Sequence, residues 1–107
     1  MKFSSQVYVI EVSIGRFSWW VKHRYSEFLD MHDRLVTDCR LDKEIFPPKK
    51  IFGKMSEAFI QKRQAQLEIY LQTVLLHMYS TGQSLPQILT NFLDFPKYVS
   101  LIVWSLI

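Results

Sequence analysis

Two stretches near the start of the chain alternate between apolar and polar side chains, with the period of a β-strand. In the first stretch, residues 6–14, one face carries Tyr8, Ile10, Val12 and Ile14. In the second stretch, residues 17–24, one face carries Phe17, Trp19 and Val21, and the other carries Ser18, Lys22 and Arg24. A short link containing Gly15 joins the two stretches, so the pattern predicts a β-hairpin. Arg24 is expected at the end of the second strand, on its polar face.

Helical spacing replaces the alternation after residue 25. Ser26 is expected to cap a helix that runs to about Cys39, with a buried stripe of Phe28, Met31 and Leu35. Ser56 is expected to cap a longer helix that runs to about Met78. The apolar face of this longer helix comprises Ile60, Leu67, Tyr70, Leu71, Val74 and Leu75.

A third helix is predicted near the C-terminal end of the chain. Ser84, Leu85 and Pro86 open it, and Pro96 is expected to end it. Its expected buried residues are Ile88, Leu89, Phe92 and Leu93.

The connection between the first two helices is stiffened by proline. Pro47 and Pro48 can continue neither a helix nor a central strand, and they favour polyproline II geometry. Lys49 and Lys50 follow directly, and Gly53 allows another turn.

Composition indicates one folded domain with a concentrated positive charge. The chain has 107 residues, of which 49% are hydrophobic and 15% aromatic, and its formal net charge is only +3. Five basic residues nevertheless fall in the segment 49–63, against the single acid Glu57; they are Lys49, Lys50, Lys54, Lys62 and Arg63. Such a concentration favours a local anionic partner.

The single cysteine and the two ends of the chain indicate in which cellular compartment we expect the protein. Cys39 is expected to be a small buried residue, and with one cysteine a reducing compartment is the default. We expect no signal peptide, because residues 1–5 do not lead into a signal-type apolar run. The apolar run 98–107 has about half the length that a membrane-spanning helix needs.

Three features of the sequence suit the recognition of an anionic ring. Arg24 offers a planar fork for phosphate oxygens beside the flat face of Tyr25, Lys49 and Lys50 offer point charges, and Arg63 falls on the apolar stripe of the long helix. Each feature also has a simpler interpretation. Arg24 and the lysines could be solvated, Tyr25 could be a core aromatic, and Arg63 could form a buried ion pair.

Other classes of function have less support in the sequence. There is no Gly-rich phosphate loop and no HExxH or CxxC pattern, and the three histidines lack metal spacing, so we expect no enzyme, no metal and no cofactor. The basic residues cluster around one turn and one helix start rather than along a groove-reading helix, so we expect no nucleic-acid partner. A protein–protein interaction module with weak or no lipid binding remains the alternative, since the apolar C-terminus could dock a protein partner.

In combination, these motifs resemble the PX (phox homology) family of phosphoinositide-binding domains. The resemblance rests on Arg24-Tyr25-Ser26-Glu27-Phe28 after a strand, on Phe46-Pro47-Pro48-Lys49-Lys50 followed by Ile51-Phe52-Gly53, and on the helical segment 62–71. It implies an α+β fold, with a three-stranded antiparallel sheet packed on a helical subdomain and a proline-rich loop between the first two helices. At most residues 1–5 remain for the first strand, which is expected to be incomplete. The implied domain spans 1–98, and an apolar C-terminal tail spans 99–107.

The resemblance also implies a set of ligand residues for phosphatidylinositol 3-phosphate. Arg24 would hold the 3-phosphate, Tyr25 would lie against the inositol ring, and Arg63 would bind the 4- and 5-hydroxyls. Lys50 would reach the 1-phosphate, because its spacing before Arg63 is the one expected for that ligand. Lys49 and Lys54 would be accessory bases.

Membrane contact is implied by the residues that follow the lysines. Ile51, Phe52 and Met55 occupy the place where the family has its membrane-inserting residues, although Phe52 could equally pack inward. The expected role is a cytoplasmic module that binds the surface of endosomal membranes, and protein partners are also possible.

Overall fold

The two alternating stretches form an antiparallel hairpin in the computed structural model, which describes residues 6–49 and 56–106 and side chains up to residue 100. Strand β1 spans Val7–Ile14 and strand β2 spans Phe17–Arg24. Their register runs from Val7 opposite Arg24 to Ile14 opposite Phe17. Gly15 lies in the connecting turn with a φ of 61°, which glycine adopts without a Cβ clash. The predicted hairpin and the exposed position of Arg24 at its end are confirmed.

In the described part of the chain, four helices follow the hairpin and confirm the α+β class. They are α1 (Tyr25–Cys39), α2 (Glu57–Ser80), α3 (Gln87–Phe92) and α4 (Phe95–Leu106). A short 3-10 turn, Lys43–Ile45, lies between α1 and the proline loop.

Helix α1 begins one residue earlier than Ser26 would allow as a cap. The helix starts at Tyr25, so the expected capping role of Ser26 is wrong. The carboxylate of Glu27 accepts the Arg24 backbone N–H instead, at 2.7 Å, which satisfies one donor at the helix start. Strand β2 ends at Arg24 and α1 begins at Tyr25, so no loop separates the two elements.

Helix α2 begins as predicted, but one residue that was expected on its buried face is exposed. The Ser56 hydroxyl accepts the Phe59 N–H at 3.1 Å, which confirms the cap. The buried stripe is Arg63, Leu67, Tyr70, Val74 and Met78. Leu75, expected on that stripe, is 41% exposed, because it follows Val74 by about 100° around the helix.

Pro96 begins a helix rather than ending one. Helix α3 ends at Phe92, and Asp94 adopts a φ of 58°, which interrupts the helical path before α4. Pro96 lies in the first turn of α4, where its missing N–H has no helical partner to lose. Helix α4 crosses residue 98, and the boundary placed there between domain and tail stays a prediction.

The chain is organised as two compact units, and the first comprises 1–31 and 85–107. Trp19 is the centre of its packing. The indole Nε1–H donates to the Leu93 carbonyl at 2.8 Å, and the ring stacks on Tyr98 with centroids 4.9 Å apart. Phe95 meets the same indole edge to face at 5.9 Å. Strand β2 is therefore fixed to the segment that joins α3 and α4.

The second unit comprises 32–84. It contains the second half of α1, the 3-10 turn, the proline loop and α2. Its buried apolar residues are Leu35, Cys39, Leu41, Leu67, Tyr70, Val74 and Met78. Cys39 is buried as expected, and burial raises the pKa of its thiol, so it remains a neutral packing residue.

Candidate functional site

The junction between β2 and α1 holds the first candidate residues, Arg24 and Tyr25. The Arg24 backbone is fixed by its N–H bond to Glu27, whereas its side chain is exposed. Tyr25 is half-buried. On the same face of β2, two residues earlier, lies the exposed Lys22. A rigid main chain with an exposed guanidinium can present two parallel N–H donors to a phosphate.

The anchoring carboxylate of Glu27 is stabilised in its ionised form. The backbone N–H of Arg24 is the main cause of the lowering of the Glu27 pKa from its ordinary value of 4.5, and His23 contributes further. The Nδ1 atom of His23 lies 3.4 Å from the same carboxylate. Because the folded-state pKa is depressed, this contribution to stability is present above pH 4.5 and is lost as the pH falls through the lower value.

His23 holds the end of β2 against α3, a role that the sequence alone did not indicate. Its ring stacks on Phe92 with centroids 3.7 Å apart, and its Nε2–H donates to the Phe92 carbonyl at 2.6 Å. Since His23 directly precedes Arg24, these contacts restrict the position of the Arg24 main chain. The alternation of β2 places His23 on the inner face, and that signal could have identified it.

Arg63 is the candidate residue of the second unit, and it is buried. Its side chain is 4% exposed, which confirms its expected place on the apolar stripe of α2. An Nη2–H group donates to the Pro48 carbonyl at 2.7 Å, and the guanidinium carbon lies 4.6 Å from the centre of the Phe59 ring. Arg63 therefore fastens the proline loop to the first half of α2.

The proline loop is described as far as Lys49. Pro47 is buried, while Pro48 and Lys49 are exposed. Five of the predicted site residues lie outside the described residues; they are Lys50, Ile51, Phe52, Lys54 and Met55. Within the described part, Arg63 and Lys49 belong to the second unit, and Arg24 and Tyr25 to the first.

A buried polar cluster supports the start of the proline loop. The Tyr70 hydroxyl donates to His32 Nδ1 at 3.0 Å, and His32 Nε2–H donates to the Lys43 carbonyl at 3.0 Å. Phe46 stacks on the His32 ring with centroids 5.0 Å apart. Burial raises the pKa of Tyr70 well above its ordinary value, so the hydroxyl keeps its proton and can donate.

This cluster does not follow from the motifs above, although the helical spacing contained a signal. His32 follows Phe28 by four residues on the buried stripe of α1 and precedes Leu35 by three. A histidine at such a position needs hydrogen-bond partners for both ring nitrogens. The structure supplies them from α2 and from the 3-10 turn, and the cluster thereby fixes the segment just before Pro47.

The described ranges 6–49 and 56–106 offer no metal-binding group of three His, Cys, Asp or Glu side chains. Over the same ranges, none of the helices has the length and apolar character required to cross a bilayer.

Comparison with known proteins places these features in a family. A sequence model of the PX domain matches residues 11–96. The chain is 34% identical over 96 residues to the PX domain-containing protein kinase-like protein of Rattus norvegicus. The aligned residues cover 85% of this chain and 15% of that protein. It is 32% identical over 83 residues to sorting nexin-13 of Homo sapiens. This alignment covers 75% of this chain and 9% of that protein.

A third relative belongs to another kind of protein. The human kinesin-like protein KIF16B is 34% identical over 76 residues, covering 70% of this chain and 6% of that protein. The chain thus spans a small part of each of these relatives. What they share with it is the PX domain, a non-catalytic module that generally binds phosphoinositides and targets proteins to membranes. Since the match covers the second half of β1, all of β2 and α1, the proline loop, α2 and α3, the chain belongs to the PX domain family.

Proposed function

We propose that the chain binds phosphatidylinositol 3-phosphate and attaches its parent protein to the cytoplasmic surface of endosomal membranes. In this proposal Arg24 holds the 3-phosphate, Tyr25 lies against the inositol ring, and Lys50 reaches the 1-phosphate. Arg63 binds the 4- and 5-hydroxyls. The proposal rests on membership of the PX domain family, on the family pattern at these four positions, and on the contacts within each unit.

The observation that carries the proposal is the fixed, buried guanidinium of Arg63. Arginine is seldom so deeply buried unless it is paired, and here an N–H group is held by the Pro48 carbonyl at 2.7 Å. This contact supports a binding role because it ties the proline loop, which leads directly into Lys49, to an arginine of the same unit. A preorganised group loses less conformational entropy when it meets a ligand.

Arg24 supports the proposal for the complementary reason that its side chain is exposed. The main chain there is fixed through Glu27 and through the neighbouring His23, so the guanidinium projects from a fixed base. Charge-assisted hydrogen bonds from a guanidinium to a phosphate are among the stronger polar contacts that proteins make.

The segments 20–26 and 47–50 also look like the corresponding parts of the nischarin PX domain. We propose a nischarin-like origin for the chain on this likeness alone.

Vesicle binding tests the lipid preference. We expect the chain to sediment with vesicles that contain phosphatidylinositol 3-phosphate, and to bind at least tenfold more weakly to vesicles that contain the 4-phosphate or 5-phosphate isomer. The isomers carry the same charge, so the comparison isolates the position of the phosphate. Equal binding to all three isomers that salt weakens strongly would mean that the chain offers only a diffuse basic surface.

Ile51, Phe52 and Met55 are proposed to enter the bilayer beside the bound headgroup, with Lys49 and Lys54 meeting anionic lipid. Phe52→Asp is then expected to weaken vesicle binding and to leave the affinity for a soluble short-chain headgroup unchanged. Burial of an aromatic side chain contributes about 1.5–3 kcal/mol, which the aspartate removes. Vesicle sedimentation and calorimetry with the soluble lipid measure the two affinities separately. Parallel loss of both would instead identify Phe52 as a packing residue.

A further inference from the structure

Helix α2 has an apolar face that its own unit does not cover. Opposite the buried stripe, three large side chains lie in the solvent: Ile69 is 62% exposed, Leu76 is 64% exposed and Tyr79 is 86% exposed. Leu75, beside them, is 41% exposed. Single exposed apolar residues are ordinary, but a cluster that spans three helical turns marks an interaction surface.

The spacing of this face is that of a helix-pairing surface. Positions 58, 62, 65, 69, 72, 76 and 79 follow one another at alternating intervals of four and three residues, and all seven are exposed. This heptad spacing is what a helix shows when it packs lengthwise against another helix. The residues at these positions are Ala58, Lys62, Ala65, Ile69, Gln72, Leu76 and Tyr79.

The charge of the face disfavours a membrane as its occupant. No Asp, Glu, Lys or Arg occurs from Ile69 to Leu93, and Lys62 is the one basic residue among the seven heptad positions. Helices that lie on anionic bilayers carry several Lys or Arg residues beside their apolar side chains. The face is therefore suited to another largely uncharged helix.

We infer that the occupant is the same face of a second copy of this chain, with the two α2 helices running antiparallel. In that direction one register pairs Lys62 with Tyr79 of the second copy, and Ala65 with Leu76. The same register pairs Ile69 with Gln72. Ala65 of each copy then meets the large Leu76 of the other copy, and the lysine ammonium can lie over the tyrosine ring.

A parallel pair would lose the complementarity of the lysine and alanine layers. Lys62 would face Lys62, which places like charges together, and Ala65 would face Ala65, which leaves a gap between the helices. At 24 residues α2 is roughly 36 Å long, which gives the antiparallel pair enough length for all of its layers. The lysine and alanine layers thus favour the antiparallel direction.

Sedimentation velocity of the 107-residue chain at rising concentration tests the pairing. We expect a reversible monomer–dimer equilibrium that Leu76→Glu weakens roughly hundredfold, since the substitution places an unpaired carboxylate in the apolar interface. Trp20→Glu is the matched control, because Trp20 is 62% exposed but lies on β2 in the other unit, and it should leave the equilibrium unchanged. Circular dichroism checks that the variants are folded; if Leu76→Glu is not, Tyr79→Glu replaces it.

Disulfide trapping tests the direction of the pair. In a Cys39→Ala background, equal amounts of an Ile69→Cys protein and a Gln72→Cys protein are mixed and oxidised. The antiparallel register predicts that the mixed disulfide dominates over the two symmetric ones, whereas a parallel pair would give mainly symmetric products. A chain that stays monomeric at all accessible concentrations would overturn the inference, as would an equilibrium that Leu76→Glu leaves unchanged.

Discussion

Arg24→Ala is expected to reduce binding to phosphatidylinositol 3-phosphate vesicles at least tenfold, and to leave the domain folded. The loss of a charge-assisted contact with a phosphate costs roughly 1.5–3 kcal/mol, which corresponds to a factor of about 10 to 150 in affinity. The fold should survive because the structural contact at this position is made by the Arg24 backbone N–H, which alanine keeps. Vesicle sedimentation and thermal unfolding on the same preparation measure both quantities.

Lys22→Ala is the matched control for this prediction. Lys22 is exposed on the same face of β2 as Arg24, and its substitution removes the same charge. We expect it to weaken binding only slightly, through the general attraction to anionic lipid. A folded Arg24→Ala protein that binds as well as the Lys22→Ala protein would contradict the assignment of Arg24 to the 3-phosphate.

Arg63→Ala is expected to lower both the thermal midpoint and the affinity for the headgroup. The substitution removes the bond to the Pro48 carbonyl and the packing on Phe59, and a lost buried hydrogen bond costs about 1–3 kcal/mol. In a domain of this size each kcal/mol corresponds to a fall of roughly 4–8 °C in the midpoint. Arg63→Lys keeps the charge but loses the planar fork, so it should recover part of the stability and little of the discrimination between lipid isomers.

Lys62→Ala is the control for Arg63, because Lys62 is the adjacent residue, carries the same charge and is exposed. It should change the free energy of unfolding by less than about 0.5 kcal/mol when measured at concentrations at which the chain is monomeric. Binding is measured well below the midpoint of each variant. If Arg63→Ala lowers the midpoint but keeps the full preference for the 3-phosphate, Arg63 has a structural role alone.

Local patterns in the sequence were sufficient to predict much of the fold. The alternation around Gly15 predicted the hairpin, and the spacing of Leu67, Tyr70 and Val74 predicted the buried face of α2. Arg63 was identified as unusual for the same reason, since a charge on an apolar stripe is visible without coordinates. These features depend on neighbours that are close along the chain.

The contacts that fix the candidate residues depend on distant partners, which single-sequence patterns do not specify. His23 bonds to Phe92 and Arg63 to Pro48, and neither pairing follows from periodicity. The cap of α1 was misassigned because a serine at position 26 has the expected chemistry, whereas the glutamate one residue later makes the bond. The prediction for Pro96 is wrong because proline is compatible with both the end and the first turn of a helix.

The most direct test of the central claim is a titration of the isotope-labelled chain with a soluble short-chain phosphatidylinositol 3-phosphate, followed by NMR. We predict saturable shifts with one common midpoint for the amides of Arg24 and Tyr25 and for those around Lys50 and Arg63. The 4-phosphate isomer should produce much smaller shifts at the same concentrations. Shifts of equal size for both isomers, or shifts confined to exposed lysines without saturation, would contradict a specific headgroup site.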